Sequence, residues 1–176
     1  MLQPKIFVAI GSNLTGNDGI SPLQINQKAI ARLACMPGLH LVAASQPYRS
    51  APFPPPGPSE PAQPDYVNSV AYLHGNVAPQ HVLNALHAIE AEFGRRRSVP
   101  NAARTLDLDL LGIDDLVIDM PDLRLPHPRL HLRRFVLMPL ADVAPGWVHP
   151  LLGRTVTQML ADLPPDGTCR LDPALA

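Results

Sequence analysis

Residues 104–111 read Arg-Thr-Leu-Asp-Leu-Asp-Leu-Leu (RTLDLDLL), and two residue types alternate through them. Leu106, Leu108 and Leu110 recur with a period of two, the period of an extended strand and not of a helix. Such a strand turns its leucines toward a core and Thr105, Asp107 and Asp109 to the opposite face. Carboxylates two residues apart on one face stand roughly 6.5–7 Å from each other, at a rise of about 3.3 Å per residue. At that spacing they repel unless water or a cation intervenes. Hard oxygen donors suit Mg²⁺, which keeps waters and substrate phosphates in its shell. A bare Asp-x-Asp is more often a polar strand face turned to solvent, so the residues upstream have to decide its meaning.

Those residues are basic. Gly94-Arg95-Arg96-Arg97 precedes the loop Ser98–Ala103, and Arg104 leads directly into the acidic strand. Arginine meets phosphate oxygens bidentately and does not lose its charge. Four guanidinium groups beside two carboxylates suggest a polyphosphate–Mg²⁺ substrate, because phosphoryl transfer needs charge neutralisation and alignment more than covalent chemistry. The simpler role for Arg95–Arg97 is a solvated cap on a helix C-terminus, and Arg96 is the best candidate for it. No Walker A loop is present: GSNLTGNDG (residues 11–19) lacks the Lys-Ser/Thr ending.

Working outward, the acidic strand is the last of six elements. Ile6–Ile10 form a continuous apolar run, a strand covered on both faces, ended by Gly11-Ser12-Asn13. Ser21-Pro22 opens a helix that Pro37-Gly38 stops. Leu39–Tyr48 reads as a second strand and Asp65–Leu73 as a third, with Tyr66, Asn68, Val70 and Tyr72 on one face. A second helix spans about Pro79–Phe93 with a stripe of Val82, Leu83, Leu86, Ile89 and Phe93. Glu90 falls on or beside that stripe, where a carboxylate is disfavoured unless paired or used; a stripe-edge glutamate reaching solvent is the alternative.

The order strand, helix, strand, strand, helix, strand predicts an α+β fold: a ferredoxin-like βαββαβ antiparallel sheet with its helices on one face. C-terminal additions follow: Leu116–Ile118, an apolar run Phe135–Leu140 and a short helix near Thr155–Leu163. They are expected to help cover the other face. Prolines cluster between Pro47 and Pro64, and the segment 47–64 is expected to be a long, stiff, polyproline-like loop. It reads as a tolerated surface insertion, as a docking site for a proline-recognising partner, or as a wall or lid over a site.

The chain has 176 residues, 46% hydrophobic and 16% charged, enough for one well-cored domain over 1–176 and too apolar for wholesale disorder. Lys and Arg number 14 against 15 Asp and Glu. That balance argues against a general nucleic-acid binder. Two cysteines, Cys35 and Cys169, exclude a disulfide framework or a four-cysteine zinc site and point to a reducing cytoplasm. The N-terminal run reads as a strand rather than a signal peptide, and no apolar stretch is long enough to span a bilayer.

A second polar group lies at residues 125–137 (LPHPRLHLRRFVL). His127 and His131 are four apart, but neither a third zinc ligand at a usual spacing nor the Glu of HExxH accompanies them. Their side chains and the arginines are better suited to phosphates.

Taken together, FVAIGSN, YRSAP, QPDYVNSV, IEAEFGR, RTLDLDLL and LPHPRLHLRRFVLMPL resemble the 6-hydroxymethyl-7,8-dihydropterin pyrophosphokinases of the folate pathway, from about residue 5 to 163. The resemblance implies a monomeric enzyme that moves the β,γ-pyrophosphoryl group of ATP to the pterin hydroxymethyl and releases AMP. It implies that Asp107 and Asp109 hold two Mg²⁺ ions. The pterin would lie between Tyr66 and Phe135, touch Asn68, and meet the loop Ser50, Ala51, Pro52 and Phe53. Glu90, Arg95, Arg97, Arg104, His127 and Arg133 would surround ATP, with Arg124 a further candidate. Arg95, Arg97 and Arg104 would stabilise the transferring group. The segment 94–104 corresponds to the family's catalytic loop. Asn101-Ala102-Ala103 stand where many members carry Arg-Trp-Gly-Pro, so the arginine and tryptophan that close over ATP are replaced. Two rivals remain at this point. A ferredoxin-like RNA-binding module would show stacking aromatics where Asp107 and Asp109 stand. The other is a non-catalytic relative kept as a scaffold.

Overall fold

The computed structural model describes residues 3–16, 18–55, 57, 61–94 and 104–172. Its elements run β1 (Lys5–Ser12), α1 (Pro22–Ala34), β2 (Leu39–Ala44), β3 (Tyr48–Ser50), β4 (Tyr66–Gly75), α2 (Pro79–Glu92), β5 (Asp107–Ile113), β6 (Ile118–Met120) and β7 (Leu123–Leu125). A 3-10 turn at Leu130–Leu132, α3 (Arg134–Val143), β8 (Val148–His149), β9 (Arg154–Thr155), α4 (Val156–Asp162) and β10 (Cys169–Arg170) complete them. The result is a mixed α/β chain built on an antiparallel sheet with four α-helices.

The main sheet runs β10-β3-β4-β1-β5, and β2 also pairs with β4. β1 is an interior strand between β4 and β5 and buries both faces, as its unbroken apolar run requires. Ile6, Val8 and Ile10 join the core under α1 and α2, together with Ala71, Leu73, Leu106, Leu108 and Leu110. Phe7 faces a second core with Val70, Leu111, Val136, Leu137, Leu140, Val156 and Met159, so α3 and α4 cover the other face.

Local signals set the helix ends. Ser21 and Gln24 make a reciprocal capping box at the start of α1, with Pro22 in its first turn. Gly38 takes φ +77° after the helix, a conformation that glycine adopts without strain. Asn26, buried on α1, accepts the Ser69 hydroxyl at 2.6 Å and donates to the carbonyls of Ile10 and Val67. A polar side chain thereby pins the helix across β1 and β4.

Three expectations change. The strand foreseen over Leu39–Tyr48 is two strands, because the chain breaks at Ser45-Gln46-Pro47, where Ser45 turns its side chain to the backbone of Val70 and Gln46. The segment 47–64 is also not loop throughout. Tyr48-Arg49-Ser50 contains no proline, keeps its N–H groups, and pairs with Asn68, Val67 and Tyr66. The acidic strand starts at Asp107 rather than Thr105.

Leu106, Leu108 and Leu110 are all buried, and each such side chain contributes about 1.5–3 kcal/mol. A slip of β5 by one residue would exchange them for Asp107 and Asp109, at a cost of several kcal/mol per unpaired carboxylate by general desolvation estimates. The pattern therefore locks both acids on the face away from α1 and α2. No helix among the described residues is long and apolar enough to cross a membrane.

Candidate active site

Register assembles the site. Asp107 lies opposite Gly11 on β1, Gly11 lies opposite Asn68 on β4, and Asn68 lies opposite Tyr48 on β3. One row thus crosses four strands on the face turned toward α3. Asp109 lies opposite Ala9. Small residues at positions 9 and 11 leave open space above the sheet between the acids and Asn68.

That space is a cavity of about 180 Å³. Its walls include Asp107, Asp109, Arg104, His127 and Arg133 on one side, and Tyr66, Asn68, Ser50, Phe53 and Phe135 on the other. Pro52 and Gln63 also line it, so both limbs of the proline-rich segment serve as wall. Asn68 donates through Nδ2 to the Ser50 hydroxyl at 3.0 Å. The Phe53 and Phe135 rings stand 6.2 Å apart between centroids, tilted by 55°.

A second cavity of about 340 Å³ lies along the outer edge of β5, between α2 and the β6–β7 hairpin. Leu83, His87, Glu90, Leu123 and Arg124 line it. Asp107, Asp109 and His127 belong to both cavities. The acidic strand is the shared wall.

Charges converge on the two acids. Arg104 Nη1 lies 3.0 Å from Asp107 Oδ2. Arg133 Nη1 and His127 Nε2 stand 3.8 and 3.9 Å from Asp109 Oδ2. Burial works against the charge on Arg104, but the neighbouring Asp107 outweighs it and its pKa is raised. Burial pushes the His127 imidazole down against the pull of Asp109. His127 Nδ1 accepts the Arg129 N–H at 3.2 Å, which leaves Nε2–H as the donor facing Asp109. Burial also lowers Arg133, whose guanidinium lies 5.5 Å over the Phe135 ring and whose Nε is buried without a hydrogen-bond partner. A guanidinium still remains cationic at neutral pH.

Glu90 is resolved in favour of use. It is buried, and its Oε1 accepts the Leu108 backbone N–H at 2.8 Å across the edge of β5. It therefore does not reach into solvent.

The donor set fits a magnesium ion. Among the described residues no group of three or more His, Cys, Asp or Glu side chains could enclose a metal. Two carboxylates on one strand face, open to a cavity, match an ion that takes its other oxygens from water and phosphate.

Of the residues singled out from sequence, Ser50, Pro52, Phe53, Tyr66, Asn68, Phe135, Arg104, Asp107, Asp109, His127 and Arg133 line the first cavity. Glu90 and Arg124 line the second, where Arg124 also pairs with Asp119 at 3.1 Å. Arg95, Arg97 and the rest of 95–103 lie outside the described residues. Sequence reasoning missed Gly11 and Asn13 as site builders. Their only signal was their place at the turn ending β1.

The model of the 7,8-dihydro-6-hydroxymethylpterin-pyrophosphokinase (HPPK) family matches residues 7–145. A 2-amino-4-hydroxy-6-hydroxymethyldihydropteridine pyrophosphokinase of Pseudomonas aeruginosa is 42% identical over 171 residues, covering 97% of this chain and 98% of that protein. One from Synechocystis is 43% identical over 148 residues, covering 84% and 72% respectively. Among solved structures, wild-type Plasmodium falciparum HPPK-DHPS superposes with a TM-score of 0.69 at 14% identity, over 90% of this chain. The chain spans 44% of that longer protein, and the likeness speaks for the fold alone.

Proposed function

The chain belongs to the 7,8-dihydro-6-hydroxymethylpterin-pyrophosphokinase family, and from that premise we propose how its residues divide the work of the reaction. The enzyme transfers pyrophosphate from ATP to 6-hydroxymethyl-7,8-dihydropterin in folate biosynthesis, giving the pterin diphosphate and AMP. The observation that carries the assignment of residues is the shared wall: two cavities meet at Asp107 and Asp109. Two substrates held on either side of one acidic strand would bring their reacting ends together there.

In this reading the pterin enters the first cavity between Tyr66 and Phe135. Asn68 bonds the pterin edge, with its amide oriented by Ser50, while Pro52 and Phe53 close the slot. ATP occupies the outer cavity by Glu90 and Arg124, with its phosphates running inward past His127 to Arg104 and Arg133. Arg95 and Arg97 are assigned to the same phosphates.

The pterin hydroxyl oxygen attacks the β-phosphorus in line, forming a P–O bond as the bond to the AMP oxygen breaks. Arg104, Arg133, Arg95 and Arg97 spread the charge of the transferring group. Asp107 and Asp109 would hold Mg²⁺, two ions by family resemblance, and such an ion supplies charge neutralisation on the phosphates and a more acidic attacking hydroxyl. The tilted Phe53–Phe135 pair supplies an apolar wall against which the pterin ring would pack.

Further features follow the same reading. The order β5-β1-β4 with β2 and β3 beyond it, all antiparallel, supports a ferredoxin-like βαββαβ core with C-terminal additions. One domain over 1–176, a monomeric state and a cytoplasmic location complete the proposal.

The test is Asp107→Ala in a coupled AMP-release assay with Mg²⁺ titration. Loss of about 10³-fold in turnover is expected from the scale of lost electrostatic stabilisation. Near-normal turnover would overturn the assignment.

A further inference from the structure

The C-terminal segment is built into the sheet beside the pterin side of the site. Cys169 and Arg170 of β10 pair with Arg49 and Tyr48 of β3, and Leu171 N–H donates to the Pro47 carbonyl at 2.8 Å. Arg170 lies 5.6 Å over the Tyr48 ring and donates through Nη2 to the Tyr48 hydroxyl at 3.0 Å and to Asp142 Oδ1 at 2.8 Å. The Tyr48 hydroxyl donates to the same carboxylate, 3.0 and 3.1 Å from its two oxygens. Asp142 also accepts the Gln46 N–H at 3.3 Å. Three distant parts of the chain converge on one carboxylate: the start of the proline-rich segment, the last turn of α3 and the C-terminal strand.

None of these three side chains lines the cavity, yet two of the elements they join do, β3 through Ser50 and α3 through Phe135, and β10 is paired to the first of them. Tyr48 lies directly opposite Asn68 and two residues before Ser50, on the same strand face. Asp142 sits at the far end of the helix whose first turn carries Phe135. β3 is three residues long, too short to resist fraying by its own ladder. The cluster ties β3, with Ser50 to Phe53 beyond it, to α3, with Phe135. These are the two sides across which Phe53 faces Phe135.

We propose that Tyr48, Asp142 and Arg170 form a positioning cluster that fixes the spacing of the pterin slot, so that the C-terminal strand tunes pterin affinity without touching the pterin. The proposal rests on the assignment of Ser50, Asn68 and Phe135 to the pterin. The cluster acts through those residues. Arg170 is the exposed member and Tyr48 the buried one, so Arg170 can be altered without opening the core.

The experiment is steady-state kinetics on the full chain for Arg170→Ala, Arg170→Lys, Tyr48→Phe, Asp142→Asn and the reference variant Asn68→Ala, each with its melting temperature. Loss of one net hydrogen bond's worth of positioning predicts a pterin KM about three- to tenfold higher in Arg170→Ala and Tyr48→Phe. The ATP KM should move by less than about twofold, and Arg170→Lys should recover part of the loss, as a cation facing Asp142 is retained. An unchanged pterin KM in these variants overturns the proposal. So does a parallel rise of both KM values that tracks melting temperature, which marks a purely structural role. Asn68→Ala separates the two levels. If it raises the pterin KM while the cluster variants do not, the cluster proposal alone fails. If it has no effect, the assignment of the pterin side fails and the cluster proposal with it.

Discussion

Asn13 Oδ1 accepts the backbone N–H of Arg104 at 2.9 Å, and the same side chain donates through Nδ2 to the Pro64 carbonyl at 3.1 Å. The backbone N–H groups of Asn13 and Leu14 return the contact to the Arg104 carbonyl. One buried amide thereby holds the end of the proline-rich segment and the start of the acidic strand at a fixed separation. Asn13→Ala leaves Arg104 N–H and the Pro64 carbonyl without this partner, and should cost about 1–3 kcal/mol in urea unfolding. Turnover should fall as well, because Arg104 is held beside Asp107. Asn13→Asp keeps the acceptor for Arg104 and should retain more activity than Asn13→Ala; equal losses would show that the Arg104 contact does not matter.

Glu90 gives a cleaner comparison. Its carboxylate accepts the Leu108 N–H on the outer edge of β5, the strand that carries both acids. Glu90→Gln preserves an oxygen acceptor at that position, whereas Glu90→Ala leaves a buried donor unpaired. Denaturant midpoints should place Glu90→Ala about 1–3 kcal/mol below Glu90→Gln. Indistinguishable midpoints would mean that the edge contact contributes nothing.

The contrast between Glu90 and Asn13 explains how much was legible in the sequence. Glu90 broke an apolar stripe, and a broken period is visible without coordinates. The leucine–aspartate alternation of β5 fixed which face each residue takes, and the element order carried the antiparallel sheet. Asn13 and Asn26 broke no pattern, since an asparagine in a turn or on a helix is ordinary; their partners lie 91 and 43 residues away. The split of the second strand was hidden for a related reason. Ser45 bonds across to Val70, a tertiary contact that ends β2, while Pro47, which has no N–H to give a ladder, was the one local sign of the break. The convergence of Tyr48, Asp142 and Arg170 depends on register between distant strands, and no local period encodes it.

Gly11 is a test of space rather than of bonding. A Cβ built there would stand 3.5 Å from Asn68 Oδ1 and 3.8 Å from both Asp107 Cβ and the Tyr66 ring, ordinary contact distances. Gly11→Ala should therefore fold, with stability within about 1 kcal/mol of the parent, since alanine also loses less backbone entropy than glycine. Its methyl would fill the floor of the slot between Asn68 and Asp107. A raised pterin KM at near-parental melting temperature is the expected result. A large loss of stability would contradict the open geometry, and an unchanged KM would place the pterin elsewhere.

His149 predicts a pH effect on folding that lies away from the acids. It is 4% exposed, packs with Trp147 and His131, and its Nδ1 accepts the Leu151 N–H at 3.3 Å. Burial lowers its pKa, and the neighbouring His131 lowers it further. The unfolded chain therefore takes up a proton on this residue at a higher pH than the folded chain does. The stability it contributes is fully present above the unfolded value of about 6.5 and declines as pH falls from there toward the lower folded value. His149→Asn keeps a hydrogen-bonding side chain and removes the titration. Urea unfolding between pH 7.5 and pH 5 should show the parent losing stability faster than His149→Asn on acidification, with the two curves parallel above about pH 7 by the same linkage. Parallel curves over the whole range would show that His149 takes up its proton equally in both states, and would remove burial as a constraint on its ring.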